Sequence, residues 1–232
     1  MRMRRKKNLA PRMERCAACW VQEPEGLRGN WLSLLPEARE IHLEIGCGKG
    51  RFTVDTAKQH PEILFLAVEK VADAMVVAME RAQREGLKNV FFLCIDAEKL
   101  PEIFAPGEIR RIYLNFSDPW PSRGHAKRRL THGNFLRRYR AILPPEGELH
   151  IKTDNDPLFA FTLEELPRFG FLPTEVTHDL HADGPCGIMT DYEQKFYEEG
   201  VTINRCVALM QPWEEPAAER ADTSAPQEDT EN

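Results

Sequence analysis

The chain has 232 residues, 42% hydrophobic and 29% charged, with a formal net charge of −6. That is the composition of one globular domain, long enough to bury a sizeable core. No apolar run approaches the roughly 20 residues of a membrane span, and the basic start MRMRRKKNLAPRMER has no apolar stretch or small-residue cleavage site behind it, so a cytoplasmic protein without membrane contact is expected.

The net charge hides a strong segregation. Residues 1–15 hold seven Arg/Lys and one Glu, residues 123–140 hold seven Arg/Lys and no acid, and residues 211–232 hold seven acids and one Arg. Two basic tracks on an acidic chain point to a polyanionic partner more directly than the overall charge does. The pattern divides the chain into a flexible basic arm (1–15), a folded domain (16–211) and an acidic tail expected to be disordered (212–232). Of six scattered cysteines, Cys47 and Cys94 fall in apolar runs as buried thiols. Cys16 and Cys19 have C-x-x-C spacing but lack a second ligand pair, so no metal is expected.

In chain order, IHLEIG (41–46) is an apolar strand ending in Gly. GRFTVDTAKQH (50–60) is a helix stopped before Pro61, and ILFLAVE (63–69) a second buried strand. ADAMVVAMERAQREG (72–86) is a helix closed by Gly86. VFFLCID (90–96) and IRRIYLNF (109–116) are the third and fourth strands. GNFLRRYRAIL (133–143) is an amphipathic helix ended by two prolines, GELHIKTD (147–154) a fifth strand, and LFAFTLEELPRF (158–169) a helix. TEVTHDL (174–180) and VTINRCVALM (201–210) complete seven strands. Apolar strands alternating with helices predict an α/β fold, a mostly parallel sheet with helices on both faces.

In such sheets ligands bind beyond the carboxyl ends of the strands. Those ends carry Glu44 to Gly50, Glu69, Asp96, Asp118 and Asp154. Gly46, Gly48 and Gly50 follow a G-x-G-x-G spacing rather than the dinucleotide G-x-G-x-x-G, and Glu44 precedes them. A carboxylate there repels a pyrophosphate and suits a cation, which favours S-adenosylmethionine over NAD. Glu69 can accept from both ribose hydroxyls, and Asp96 from the adenine amino group. Asp96 is also placed as an ordinary helix N-cap.

The segments EIGCGKG (44–50), NFSDPWPSRGHAKRR (115–129), IKTD (151–154) and TDYEQKFYEEG (190–200) together resemble the bacterial tRNA (guanine-N7)-methyltransferase family. The resemblance runs from the basic arm to about residue 210 and implies a Rossmann-like class I methyltransferase fold. It implies S-adenosylmethionine as cofactor and N7 of guanosine 46, in the tRNA variable loop, as target. By motif, Glu44, Glu69, Asp96 and Asp118 contact the cofactor, and Asp118 is also the catalytic acid. Asp154, Thr190, Asp191, Tyr192 and Glu193 contact the substrate nucleotide. The family usually carries Lys after Pro-Trp-Pro as a further substrate contact; this chain has Ser122 there, followed by Arg123.

The chemistry is consistent with these groups. Guanine N7 carries a free lone pair at neutral pH, so no proton has to leave before attack. The task is alignment plus an anion near the migrating positive charge, and Asp118 can supply it. A carboxylate also suits the N1–H and N2–H₂ edge that distinguishes guanine, a part open to Asp118, Asp154 or Glu193. Pro119 and Pro121 stiffen the loop, and Trp120 either stacks on a base or anchors the loop on the core. Arg123, Lys127, Arg128 and Arg129, extended by Arg137, Arg138, Arg140 and the arm, form the phosphate track. His125 and His132 are structural. A methyltransferase of another substrate and an RNA-binding module without activity share several of these features. The sequence leaves monomer and homodimer both open.

Overall fold

The structure, a computed structural model, describes residues 8–216. A seven-stranded sheet lies at its centre in the order β3-β2-β1-β4-β5-β7-β6. The strands are β1 (Glu40–Ile45), β2 (Ile63–Val68), β3 (Val90–Leu93), β4 (Arg111–Asn115), β5 (Glu148–Thr153), β6 (Phe171–Thr177) and β7 (Asn204–Met210). β1 to β5 pair in parallel, while β7 runs antiparallel to both β5 and β6. The mostly parallel expectation therefore holds, with β7 as the exception. Every residue of β2 is buried, as a strand covered on both faces requires.

Seven α-helices accompany the sheet among the described residues: α1 (Leu9–Arg15), α2 (Arg51–Gln59), α3 (Ala72–Arg84), α4 (Leu100–Ile103), α5 (Gly133–Ile142), α6 (Asp156–Arg168) and α7 (Asp191–Glu198). One core joins α4, α5 and α6 to the sheet through Phe104, Leu136, Tyr139, Phe159 and Leu166. The other joins α1, α2 and α3 to the opposite face through Met13, Phe52, Val54, Met75 and Met79.

Two boundaries differ from expectation. The arm expected over 1–15 is helical from Leu9, because Met13 is buried and the Arg12 guanidinium forks onto the Glu80 carboxylate of α3, Nε to Oε1 at 2.7 Å; residues 1–7 lie outside the described part. The tail expected to be disordered from 212 begins ordered, as Trp213 packs on Phe169 at 5.9 Å between ring centroids and donates its indole N–H to the Arg168 carbonyl at 3.0 Å. Residues 217–232 lie outside the described part. The sixth strand also starts three residues earlier than predicted, taking in Pro173, which an outermost strand tolerates.

Candidate active site

β1 lies between β2 and β4, so the chain order reverses beside it, and this is where such sheets bind ligands. The turn after β1 is tied to β2: the Gly46 and Cys47 amides both donate to the Val68 carbonyl, at 2.8 and 3.1 Å. Gly46, Gly48 and Gly50 all have positive φ, at 80°, 56° and 76°, so each needs glycine for its backbone alone. They differ in surroundings. A Cβ on Gly46 or Gly48 would meet nothing within 4 Å, whereas on Gly50 it would lie 2.4 Å from Ala78 Cβ. Gly50 lets α2 approach α3; Gly46 and Gly48 leave open space against bare backbone, which a ligand can fill.

Glu69 organises this turn. Its Oε2 accepts from the Gly48 amide at 3.0 Å and its Oε1 from Val71 at 2.9 Å. Both oxygens keep lone pairs for a further donor. Glu44 does not stand on the rim. It is 3% exposed and lies beneath the loop, where it accepts from the Thr53 hydroxyl of α2 and from the Asn115 amide of β4, the latter at 3.0 Å. Burial raises its pKa, against the opposing effects of those two donors and of Lys152. Asp96 is exposed and caps the turn Ala97–Lys99, accepting from the Glu98 amide at 3.0 Å.

Asp118 is exposed on the loop after β4. The loop is held from below rather than by its prolines alone: the Arg129 guanidinium donates to the carbonyls of Pro119 and Trp120, with contacts of 3.0 Å to each. Phe116 and Trp120 are non-glycine residues at positive φ, a conformation maintained only by its surroundings. Trp120 is half-buried but not a core anchor; it lies under the Arg128 guanidinium, 5.1 Å from the ring centroid, with His125 edge-on at 5.8 Å. Ser122 and Arg123 are exposed on the same loop.

The basic track separates into two kinds of residue. Arg129 is committed to the loop carbonyls and to the Phe161 ring at 4.4 Å. On α5, Arg137 pairs with Glu215, Arg138 donates to the Asn134 carbonyl at 2.8 Å, and Arg140 donates to the carbonyls of Gly170 and Gln211. These side chains serve the fold, whereas Arg123, Lys127 and Arg128 are exposed. His132 caps α5, its Nδ1 accepting from the Asn134 amide at 3.1 Å.

Asp154 is exposed just past β5. Thr190 and Glu193 form a capping box at the start of α7. Glu193 is 0% exposed. Its carboxylate takes the Lys152 ammonium at 2.9 and 3.1 Å, His181 Nε2 at 3.1 Å and the Thr190 amide at 3.2 Å. Its acceptor sites are thus engaged within the protein and it has no exposed surface. Its neighbours face outward: Tyr192 is 68% exposed, and Asp191 lies 3.5 Å from Arg81. Lys152 and His181 are the residues that sequence reasoning missed. Lys152 lies within the IKTD segment, and Glu193 three residues after Thr190 was the available signal for the cap.

The cysteines are all free thiols. Cys16 donates to the Gln83 side chain at 3.2 Å and Cys19 to the Cys16 carbonyl at 3.3 Å. Burial raises both, Cys19 to about 11, so neither is thiolate at neutral pH. Cys94 is half-buried, not fully buried as expected, while Cys47 is buried. Among the described residues no helix is long and apolar enough to cross a membrane.

Residues 38–206 match a family model described as "Putative methyltransferase". The chain is 41% identical over 213 residues to a tRNA (guanine-N(7)-)-methyltransferase of Exiguobacterium sp., covering 91% of this chain and 99% of the relative. It is 46% identical over 191 residues to a protein of the same description from Brevibacillus brevis, covering 82% and 89%. Among solved structures, the 16S rRNA methyltransferase KamB superposes with a TM-score of 0.62 at 16% identity, covering 79% of this chain and 94% of that one. That likeness concerns the fold alone.

Proposed function

The chain belongs to the tRNA (guanine-N7)-methyltransferase family, and we propose that its carboxyl rim is the site where a methyl group passes from S-adenosylmethionine to N7 of guanosine 46 of tRNA, in the cytoplasm. The observation that carries this assignment is the open backbone at Gly46 and Gly48, closed on one side by Glu69 and linked through Glu44 and Asn115 to the strand that delivers Asp118. Bound there, S-adenosylmethionine supplies the electrophilic methyl group and a positive charge.

Each residue then has a part that follows from its surroundings. Glu69 offers its remaining lone pairs to the ribose hydroxyls, and Asp96 faces the adenine end. Glu44, buried and held by neutral donors, acts on the cationic cofactor through its field rather than by contact. Asp118 is exposed on a loop already fixed by Arg129, so its carboxylate needs little reorganisation to sit beside the migrating charge. Since Glu193 is enclosed, the guanine edge falls to Asp118 and Asp154. Thr190, Asp191 and Tyr192 form the outer wall of the substrate side. Arg123 stands in for the family lysine, with Ser122 beside it, and Lys127 and Arg128 meet phosphates.

The test is direct. Incubation with labelled S-adenosylmethionine and unmodified tRNA, followed by nucleoside analysis, is expected to yield 7-methylguanosine, and replacing guanosine 46 in the transcript is expected to abolish labelling. Label in another nucleoside, or undiminished label in the substituted transcript, would refute the assignment.

A further inference from the structure

α7 has little apolar surface to hold it in place: of Asp191–Glu198, only Glu193 is buried. Its position therefore depends on a few particular contacts. From the sheet, Lys152 and His181 grip Glu193, and Phe116 beyond β4 packs on Phe196 at 5.9 Å between ring centroids. A second set joins the first turn of α7 to α2 and α3. Asp191 Oδ2 accepts from Arg81 Nη2 of α3 at 3.5 Å, and its Oδ1 lies 4.0 Å from Arg51 Nη1 of α2. Arg51 also donates to the Gln194 side chain at 3.4 Å and has Asp55 at 3.7 Å from its Nε.

Neither arginine lies in the segments that carry the family resemblance. Arg81 Nη1 is enclosed without a hydrogen-bond partner, so this guanidinium is seated against the protein and offers a fixed reference. The Asp191 side chain is 42% exposed, and Tyr192 beside it stands in solvent. We propose that Arg81, together with Arg51, is a positioning residue for the tRNA substrate. The two guanidiniums hold the Asp191 carboxylate, and with it the Thr190–Tyr192 turn, where that turn meets the target nucleotide. The proposal rests on the functional reading in taking this turn as the outer wall of the guanosine site. Neither guanidinium has to touch RNA for the clamp to act. Partly exposed ion pairs at these distances add little to global stability, so loss of the clamp registers in substrate binding rather than in melting.

Four variants of the full chain test it: Arg81→Ala, Arg81→Lys, Asp191→Asn and the Arg81→Ala, Asp191→Asn double variant. Arg81→Ala is expected to raise the KM for tRNA about 3- to 10-fold, with the Kd for S-adenosylmethionine and the Tm unchanged. Arg81→Lys keeps the charge and should fall between Arg81→Ala and the intact chain. Adding Arg81→Ala to Asp191→Asn should cost nothing further, because the clamp then has nothing to hold; single-variant factors that simply multiply would overturn the proposal. An unchanged KM in Arg81→Ala, or a lysine variant as impaired as the alanine one, would overturn it too. Amide hydrogen exchange reads the clamp without substrate: Thr190–Gln194 should exchange faster in Arg81→Ala than in the intact chain, and equal exchange counts against the proposal. An intact chain that forms no 7-methylguanosine would overturn the functional reading and this inference together. An active intact chain whose variants all match it would overturn this inference alone.

Discussion

The two sides of the carboxyl rim are secured by different physics. Beneath the glycine turn, Glu44 is gripped by neutral donors, the Thr53 hydroxyl and the Asn115 amide. Across the rim, Glu193 is gripped by charge, with the Lys152 ammonium on both of its oxygens and His181 beside it. Both carboxylates are enclosed, whereas Asp118 and Asp154 are exposed. The contrast shows that acids gathered at this edge of the sheet divide by burial into those that fix the fold and those exposed to solvent. It also predicts unequal consequences on mutation, because a buried ion pair that loses one member leaves an uncompensated charge, whereas a neutral hydrogen bond to a carboxylate can be partly rebuilt.

The largest effect is expected at the exposed acid. Asp118→Asn should lower kcat/KM for methyl transfer by about 100-fold or more and leave the melting temperature unchanged. Initial rates alongside a thermal melt check both halves, and activity within threefold of the unaltered enzyme would take Asp118 out of the chemistry. Next come the two enclosed carboxylates. Lys152→Met should cost about 3–5 kcal/mol of stability by stranding Glu193, and the KM for tRNA should rise as α7 loosens. Glu44→Gln should cost only about 1 kcal/mol, since the amide can accept from Asn115 and donate to the Thr53 hydroxyl. Similar denaturant midpoints for both variants would erase the distinction between the two sides.

The smallest effect separates the rim from the sheet face below it. There His42 bonds Glu40 at 2.8 Å and Tyr113 at 3.2 Å, and His150 bonds Glu148 at 2.7 Å. Burial, then Arg111, lowers His42 from 6.5 to about 4, and chiefly the His150 hydrogen bond lowers Glu148 from 4.5 to about 2. Between pH 6.5 and 4 the unfolded chain binds a proton at His42 that the folded chain refuses. Stability is therefore full above that window and declines as pH falls through it. Glu148 adds a further loss between 4.5 and 2. Melting temperatures followed from pH 7.5 to 4.5 should fall, and His42→Gln should flatten the decline. An unchanged slope in the variant would assign the acid sensitivity elsewhere.

The pattern of apolar runs predicts all seven strands and the helices α2, α3, α5 and α6, because each buries a continuous stripe or a whole strand. It does not predict α7, whose sequence DYEQKFYE is mostly polar; that helix forms around a cap and an ion pair to a strand far away in sequence, information that periodicity does not carry. α1 escapes for a related reason, since Met13 alone is buried on a helix otherwise read as part of a basic arm. Sequence places acids near the strand ends but cannot assign their burial, which depends on packing from α2 against Glu44 and from the segment at His181 over Glu193. The arginines of α5 show the same limit: in a linear reading they continue the basic track, yet Arg140 donates to the carbonyls just before β6 and just after β7.

Lys152 and Asp154 sit two residues apart at the end of one strand. Through the Lys152–Glu193 latch, that strand also sets the height at which α7 begins. In the proposed guanine site, the floor at Asp154 and the outer wall at Thr190–Tyr192 are thus gauged from a common datum, the end of β5.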